Sequence, residues 1–252
     1  SDVAFGLTLP AEEIENERNV IMEEKRTRLG PQQRVQEQLF EAIAPGSTFG
    51  ERLPIGVEET IMAMTQAEFE RYYRQWYVPS NMTLIVAADL DVAELVPMVE
   101  AYFGEGEASE RPVDLDVGVT PYDEMRALVI TDPELTSAQL QIINIREPQP
   151  PVVDREGMRR ALLENLASGV FNRRLQRKLN EGELEMQSTS AFVGDFFNAM
   201  RISWLSAQGR ADGWRGQMAQ LTTELRRAKL HGFSSQEIAD TRASIIAGAE
   251  RF

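Results

Sequence analysis

The segment 12–26 is the part of this chain that most constrains its fold, because it places two acids seven residues apart among aliphatic side chains. At about 100° per residue, a helix brings Glu17 and Glu24 into one arc with Ile14, Ile21 and Val20. We therefore expect both carboxylates on a half-buried helix face. Such a group is usually paired, protonated or bound to a metal, because burying it alone is costly. The spacing alone favours a solvated acidic face, and it leaves a metal-ligand role open.

The ends of this first helix are marked by local signals. Pro10 stands near the first helical position, and acids follow it in the first turn. The last turn contains Lys25, Arg26 and Arg28, with Gly30 just beyond. Because acids near the start and bases near the end both complement the helix dipole, the sequence predicts a helix between these residues.

The remaining chain alternates between helical and strand patterns, which predicts an α+β fold. Residues 109–124 are acidic, contain two prolines and lack periodicity, so we interpret them as a linker. The expected domains are 1–108, the C-terminal part of a first domain, and 125–252, most of a second. The predicted helices cover 32–44, 65–77, 92–102, 155–180 with Asp154 as its cap, 212–230 and 234 onward. The predicted strands cover 82–88, 126–131, 138–146, 185–193 and 196–207, with the last two joined around Gly194 and Asp195.

Composition narrows the possible partners and sites. The net charge of -14 argues against nucleic acid and anionic membrane surfaces, which attract basic patches. No apolar run approaches the length of about 18 residues that predicts a membrane-spanning helix. The chain has no cysteine and one histidine, His231, which falls in the final turn of a predicted helix. A cation is favourable there, so we interpret His231 as a cap or surface residue without a catalytic role.

The run 17–24 resembles the third-ligand helix of the insulinase (pitrilysin-type) zinc metallopeptidases. In that family a Glu-Arg pair begins seven residues before the zinc-binding glutamate. The resemblance therefore implies that Glu24 is a zinc ligand and that Glu17 is a nearby supporting carboxylate, with Glu23 as a bystander. Segments 52–56, 77–86 and 103–104 are also similar to the family, and 171–179 is similar to a lesser degree.

The resemblance also carries implications for fold and activity. It implies two similar domains, each a mostly antiparallel sheet backed by helices, as in the processing peptidases. The intact parent would be a metalloendopeptidase in which zinc activates water to hydrolyse a peptide, working with a second half or partner subunit. Bacterial relatives of similar layout suggest the periplasm or cell envelope.

One departure from the family is large, because its His-x-x-Glu-His motif is absent here. A catalytic zinc usually needs three protein ligands and a water, and His231 is the only imidazole. We expect this piece to be an inactive fragment that does not bind zinc by itself. The first residue, Ser1, and an end within a helical pattern suggest a chain cut from a longer one. We also expect the Ile14/Ile21 face to be uncovered, leaving the first helix mobile or self-associating.

Two other functions remain open on the sequence. A non-catalytic scaffold or core subunit of the same family would keep the fold without zinc, although the presence of both Glu17 and Glu24 argues against it. An unrelated α+β interaction module would instead use the acidic helix to bind a basic partner.

Overall fold

The computed structural model describes residues 2–52, 55–107, 109–113 and 115–251, which form helices and one antiparallel sheet. The predicted α+β class is confirmed. The chain divides into two compact units: Ser1–Gln33 with Arg52–Asp116, and Arg34–Glu51 with Val117–Phe252. One division falls within the predicted linker 109–124, but the segment 34–51 packs with the second unit. The predicted domain boundaries themselves stay a prediction.

The helices and strands are numbered in chain order. The helices are α1 (Asp2–Phe5), α2 (Ala11–Arg28), α3 (Pro31–Ile43), α4 (Thr48–Glu51), α5 (Glu58–Ala63), α6 (Gln66–Trp76), α7 (Val92–Phe103), α8 (Arg155–Asn180), α9 (Trp214–His231) and α10 (Ser235–Ala249). The strands are β1 (Ser137–Arg146), β2 (Ser188–Phe196) and β3 (Met200–Arg210). Within the described ranges, no helix is both long and apolar enough to cross a membrane.

Local capping signals place several of these helices where the sequence predicts them. Asp154 precedes α8 and its Oδ1 accepts a hydrogen bond from the Gly157 N–H at 2.7 Å. Capping boxes begin α6, at Thr65, and α10, at Ser234. Each cap satisfies backbone groups that the first turn of a helix leaves without partners.

Two predicted strands are wrong. Residues 82–88 and 126–131 form no strand, and the side chains of Ile85 and Val129 are 86% and 83% exposed. A strand is stable only beside a neighbour that pairs with its backbone groups and covers one of its faces. Among the described residues neither segment has such a neighbour, so its apolar composition alone does not produce a strand.

The second unit is organised around a three-stranded sheet in the order β1-β3-β2, with both pairings antiparallel. Helices α8 and α9 pack against this sheet, and α10 packs against α8. Leu175 of α8 and Leu221 of α9 are fully buried at the centre of the layer between helices and sheet. The core cluster around them also contains Leu140, Phe171, Leu184, Met186, Leu205 and Ala207.

The hairpin between β2 and β3 turns later than predicted. Phe197 and Asn198 adopt φ values of 51° and 52°, and the Ala199 N–H donates to the Phe196 carbonyl at 3.0 Å. Gly194 does not mark the turn, because it lies within β2. A Cβ atom there would lie 2.6 Å from the Phe192 ring, so glycine leaves room for that ring.

The outer edge of β2 is closed by a side chain from α8. The Asn172 Nδ2 donates to the Ala191 carbonyl at 2.8 Å, and the Ala191 N–H donates to Asn172 Oδ1 at 2.7 Å. The amide thereby makes both hydrogen bonds that a neighbouring strand would make. Since open edges invite pairing with other chains, Asn172 protects this one at its midpoint.

Residues of the segment 34–51 complete the second unit through an aromatic cluster. The ring of Phe40 in α3 lies 5.1 Å from that of Phe49 in α4 and 6.1 Å from that of Phe196 in β2, measured between centroids. The Thr48 N–H donates to the Val117 carbonyl at 2.9 Å. This early segment is therefore part of the packing of the later unit.

Candidate functional site

Helix α2 carries both acids to which the sequence assigns a site role, and both are exposed. Glu24 forms an ion pair with Arg28 on the next turn, with 43% of the Glu24 side chain exposed. Glu17 is also exposed, so the half-buried position expected for the two carboxylates is wrong, whereas the solvated face that their spacing alone favours agrees with the structure. Ile14 and Ile21 are half-buried, so they are not bare as expected. Self-association through this helix stays a prediction.

The buried side of α2 is centred on Arg18 and Met22, which are 9% and 7% exposed. Arg18 Nη1 donates to the carbonyls of Ile61 and Met62 at 2.5 and 2.6 Å, and Nη2 donates to the Met64 carbonyl at 3.0 Å. These carbonyls end α5, where backbone acceptors lack helical partners and a cation complements the dipole.

The guanidinium of Arg18 therefore decides how α2 is rotated. Its Nε lies 3.2 Å from Glu15 Oε2, an ion-pair contact outside hydrogen-bond geometry. The buried side of α2 therefore lies at Arg18 and Met22, away from the arc of Glu17 and Glu24 that helical periodicity predicts. Sequence reasoning missed this residue because its acceptors come from a distant segment and buried arginines are uncommon.

A second cation ties α2 to the same region. Lys25 Nζ donates to the Gly56 carbonyl at 3.0 Å. Gly56 has a φ of 77°, a conformation that favours glycine. Together, Lys25 and Arg18 hold α2 against residues 56–64, which leaves Glu17 and Glu24 on the exposed flank of the helix.

The described residues do not fit a catalytic zinc ion. In the described ranges, no group of three or more His, Cys, Asp or Glu side chains could hold a metal. Glu24 is engaged by Arg28, and His231 is an exposed residue at the end of α9 in the other unit. Since catalytic zinc needs about three protein ligands, the residues that the structure describes offer at most part of such a site.

The second unit contains a separate cluster of ion pairs built around Arg174. Its guanidinium makes a two-pronged contact with Glu237, at 2.7 and 2.8 Å, and donates to the Gly232 carbonyl at 3.0 Å. Hydrogen bonding from Arg174 lowers the pKa of Glu237 from 4.5 to about 2, helped by bonds from Ser234 and opposed by burial. The pattern Ser-x-x-Glu at 234–237 indicates the capping role of Glu237, but no local pattern reveals Arg174 as its partner.

A neighbouring group joins α8 to α9. Lys178 Nζ lies 2.8 Å from a Glu183 oxygen and 3.3 Å from Glu224 Oε1, which also accepts from Arg227 at 2.7 Å. Glu224 is 3% exposed, and its Oε2 has no hydrogen-bond partner among the described residues. The hydrogen bond to Glu183 is the main cause of a raised Lys178 pKa.

These ion pairs line a cleft of about 860 Å³ between α8, α9 and α10. The single hydroxyl in its described lining, that of Ser234, is committed to capping α10. The Arg173 guanidinium donates to the Asp240 carbonyl at 3.3 Å. The charged side chains of this cleft therefore mainly pair with one another and connect the helices.

Residues 63–245 match the protein family described as the peptidase M16 inactive domain. This chain belongs to the M16 peptidase family. The expected membership among the insulinase-type peptidases is confirmed. The match begins after α2, so it does not include Glu17 or Glu24, whose roles stay a prediction.

One related sequence and one related solved structure each match nearly the whole chain. The chain is 25% identical over 250 residues to the probable zinc protease PqqL of Escherichia coli strain K12, covering 97% of this chain and 26% of that protein. It is also similar in fold to the crystal structure of the periplasmic protease PqqL from Escherichia coli, with a TM-score of 0.87, 23% identity and coverage of 98% and 27%.

A structure of the first half of the same Escherichia coli protease gives a TM-score of 0.86 at 23% identity, covering 98% of this chain and 53% of that one. The chain thus spans about a quarter of the whole relative and about half of its first half. The mixed architecture of helices and antiparallel sheet is that of M16 peptidases.

Proposed function

We propose that this chain is part of the catalytic half of a zinc metalloendopeptidase and does not hydrolyse peptides on its own. The observation that carries the proposal is the M16 match over residues 63–245, in a chain similar over 97% of its length to a protein named as a zinc protease. The lack of a complete metal-binding group among the described residues supports inactivity of the chain by itself.

Within that enzyme, we assign Glu24 as one zinc ligand and Glu17 as a carboxylate that supports the ligands. The assignment rests on the family resemblance of the run 17–24. Its structural support is the double attachment of α2 through Arg18 and Lys25, which fixes the helix while leaving the flank with both acids accessible. The other ligands would come from elsewhere in the longer protein.

The remaining parts of the proposal concern partners and location. The substrate class is peptides, and the partner is the second half of the peptidase or an equivalent subunit. We place the protein in the periplasm because the related Escherichia coli protease is described as periplasmic. Fractionation of a Gram-negative host expressing the full-length protein tests that location, and recovery with cytoplasmic markers contradicts it.

Zinc titration and a peptidase assay test the function. The 252-residue chain should neither bind zinc stoichiometrically nor cleave an unstructured fluorogenic peptide. In the full-length protein, Glu24→Gln should abolish bound zinc and cleavage, whereas Glu17→Gln should weaken zinc binding about 10- to 100-fold.

Glu23→Gln is the matched control on the same helix, because Glu23 is also exposed and paired with an arginine, Arg26. It should leave zinc content and cleavage unchanged. The assignment fails if Glu24→Gln retains zinc, or if Glu24→Ala alters only salt-dependent binding of a basic partner, as the interaction-module alternative requires.

A further inference from the structure

An apolar groove lies between α8 and α10 of the second unit, apart from the ion-pair cleft. It has a volume of about 600 Å³, and its apolar lining is Met158, Leu162, Leu163, Leu166, Ile245 and Ile246. Met158, Leu162, Leu163 and Ile246 are 49% to 54% exposed. Four large apolar side chains half-exposed side by side differ from the scattered apolar residues of an ordinary surface.

The two helices explain the shape of this groove. Arg174 contacts Glu237, and a Cβ on Gly169 would lie 3.1 Å from the Thr241 side chain, so the helices run antiparallel and approach closely there. The residues before Gly169 on α8 and after Thr241 on α10 line the open groove. Along α8 the lining positions recur at helical spacing over about three turns, or roughly 17 Å.

The charged side chains that line the groove all have one sign. Its charged lining residues are Arg155, Arg159 and Arg242, with no acid among them, in a protein with 40 acidic and 26 basic residues. Among the described residues none of the three arginines forms a salt bridge. An occupant that desolvates this surface must therefore bring carboxylates to the rim as well as apolar side chains to the floor.

We propose that this groove binds an amphipathic helix whose apolar stripe is flanked by glutamates or aspartates. A third helix lying along two packed helices places its side-chain ridge in the groove between them. The net charge of -14 disfavours the alternative occupant, an anionic membrane surface, because the protein as a whole is repelled from it. The proposal is independent of the peptidase assignment.

Binding of two synthetic helical peptides to the 252-residue chain tests the proposal. Both are about 18 residues long, or five turns, with leucines at i, i+3, i+4 and i+7. One carries glutamates beside the stripe and the other carries lysines. Fluorescence anisotropy should detect binding of the glutamate peptide, at least about tenfold weaker binding of the lysine peptide, and loss of affinity with added salt.

Variants locate the contact. Leu162→Asp and Arg159→Glu should each weaken binding of the glutamate peptide at least about tenfold. The control variants Leu230→Asp and Arg226→Glu change exposed positions on α9 and should leave that binding unchanged. Thermal unfolding of each variant shows whether it is folded. Equal binding of both peptides, insensitivity to Leu162→Asp, or Arg159-dependent binding to phosphatidylglycerol vesicles in place of the peptide overturns the proposal.

Discussion

The two units of this protein are stabilised in different ways. Among the described residues of the first unit, only Arg18 and Met22 are buried, whereas the second unit contains every other buried residue, including Leu175, Leu221 and Met200. The second unit is held by an apolar core between a sheet and helices. The first unit relies on specific polar contacts such as those of Arg18, while side chains such as Ile85 remain exposed.

The comparison shows that two units of one M16 family chain need not be equally stable on their own. Burial of apolar surface is the main favourable contribution to folding, so the second unit has the means to fold by itself. Among its described residues the first unit buries a single apolar side chain, that of Met22, so we expect it to open locally at a lower free-energy cost than the second.

The largest expected effect is in the core of the second unit. Leu221→Ala should lower the free energy of unfolding by about 3 kcal/mol, since it removes a fully buried side chain and leaves a cavity. Leu230→Ala on the same helix, where the side chain is 69% exposed, should cost less than about 0.5 kcal/mol. Urea denaturation measures both, and equal losses would remove the basis of the comparison.

The Arg174–Glu237 pair gives the next effect and a pH signature. The pKa of Glu237 is about 2 in the folded protein, below its ordinary 4.5, so its stabilising contribution is complete above pH 4.5 and is lost as the pH falls through 2. Glu237→Gln should lower the stability by about 2 kcal/mol at pH 7, with the difference from the parent protein shrinking below pH 4.5.

Glu185→Gln is the control for this pH dependence, because Glu185 is exposed in the same unit. Its unfolding curves should follow those of the parent at every pH. A constant stability difference for Glu237→Gln down to pH 2 would show that the ion pair is not the origin of the effect.

A smaller and more local effect is expected in the first unit. Arg18→Ala removes three hydrogen bonds to the end of α5, and it should cost about 1.5 kcal/mol. Hydrogen exchange should accelerate in α2 and α5 while the amides of α8 and β3 remain protected. Arg28→Ala, an exposed partner of Glu24 on the same helix, should change exchange little. Acceleration throughout the chain would mean that the units do not open separately.

The smallest expected effect is at the β2 edge. Asn172→Ala removes both hydrogen bonds to Ala191 and should cost about 1 kcal/mol. It should also increase self-association at high concentration, measured by light scattering, because it opens an edge. Asn180→Ala at the exposed end of α8 should do neither. A monomeric Asn172→Ala protein would leave the amide with a purely local role.

Features that depend on neighbouring residues in the chain could be predicted from the sequence. The bounds of α2, the caps at Asp154, Thr65 and Ser234, and the helix that follows each are of this kind. Their physical causes, such as helix dipoles and N-terminal hydrogen bonds, act within a few residues.

Features that depend on residues distant along the chain could not be predicted from the sequence. The expected strand at 82–88 lacked a neighbour, and the rotation of α2 is set by carbonyls of Ile61, Met62 and Met64 that no local pattern reveals. The late hairpin turn depends on Phe197 and Asn198 accepting positive φ values, which asparagine does readily and phenylalanine rarely. For the same reason, the half-buried face expected for Glu17 and Glu24 is exposed, which agrees with the solvated face that their spacing alone favours.

The placement of residues 34–51 in the second unit has a practical consequence. The chain crosses between the units at 33/34, 51/52 and 116/117. A single break in the acidic linker 109–124 therefore cuts only one of these three crossings. A protease acting there would yield two fragments that remain associated, because the larger keeps Phe196 and the smaller keeps Phe40 and Phe49 in one aromatic cluster. Expression of the later unit as an autonomous piece therefore requires 34–51 to be supplied, either in trans or by circular rearrangement of the gene.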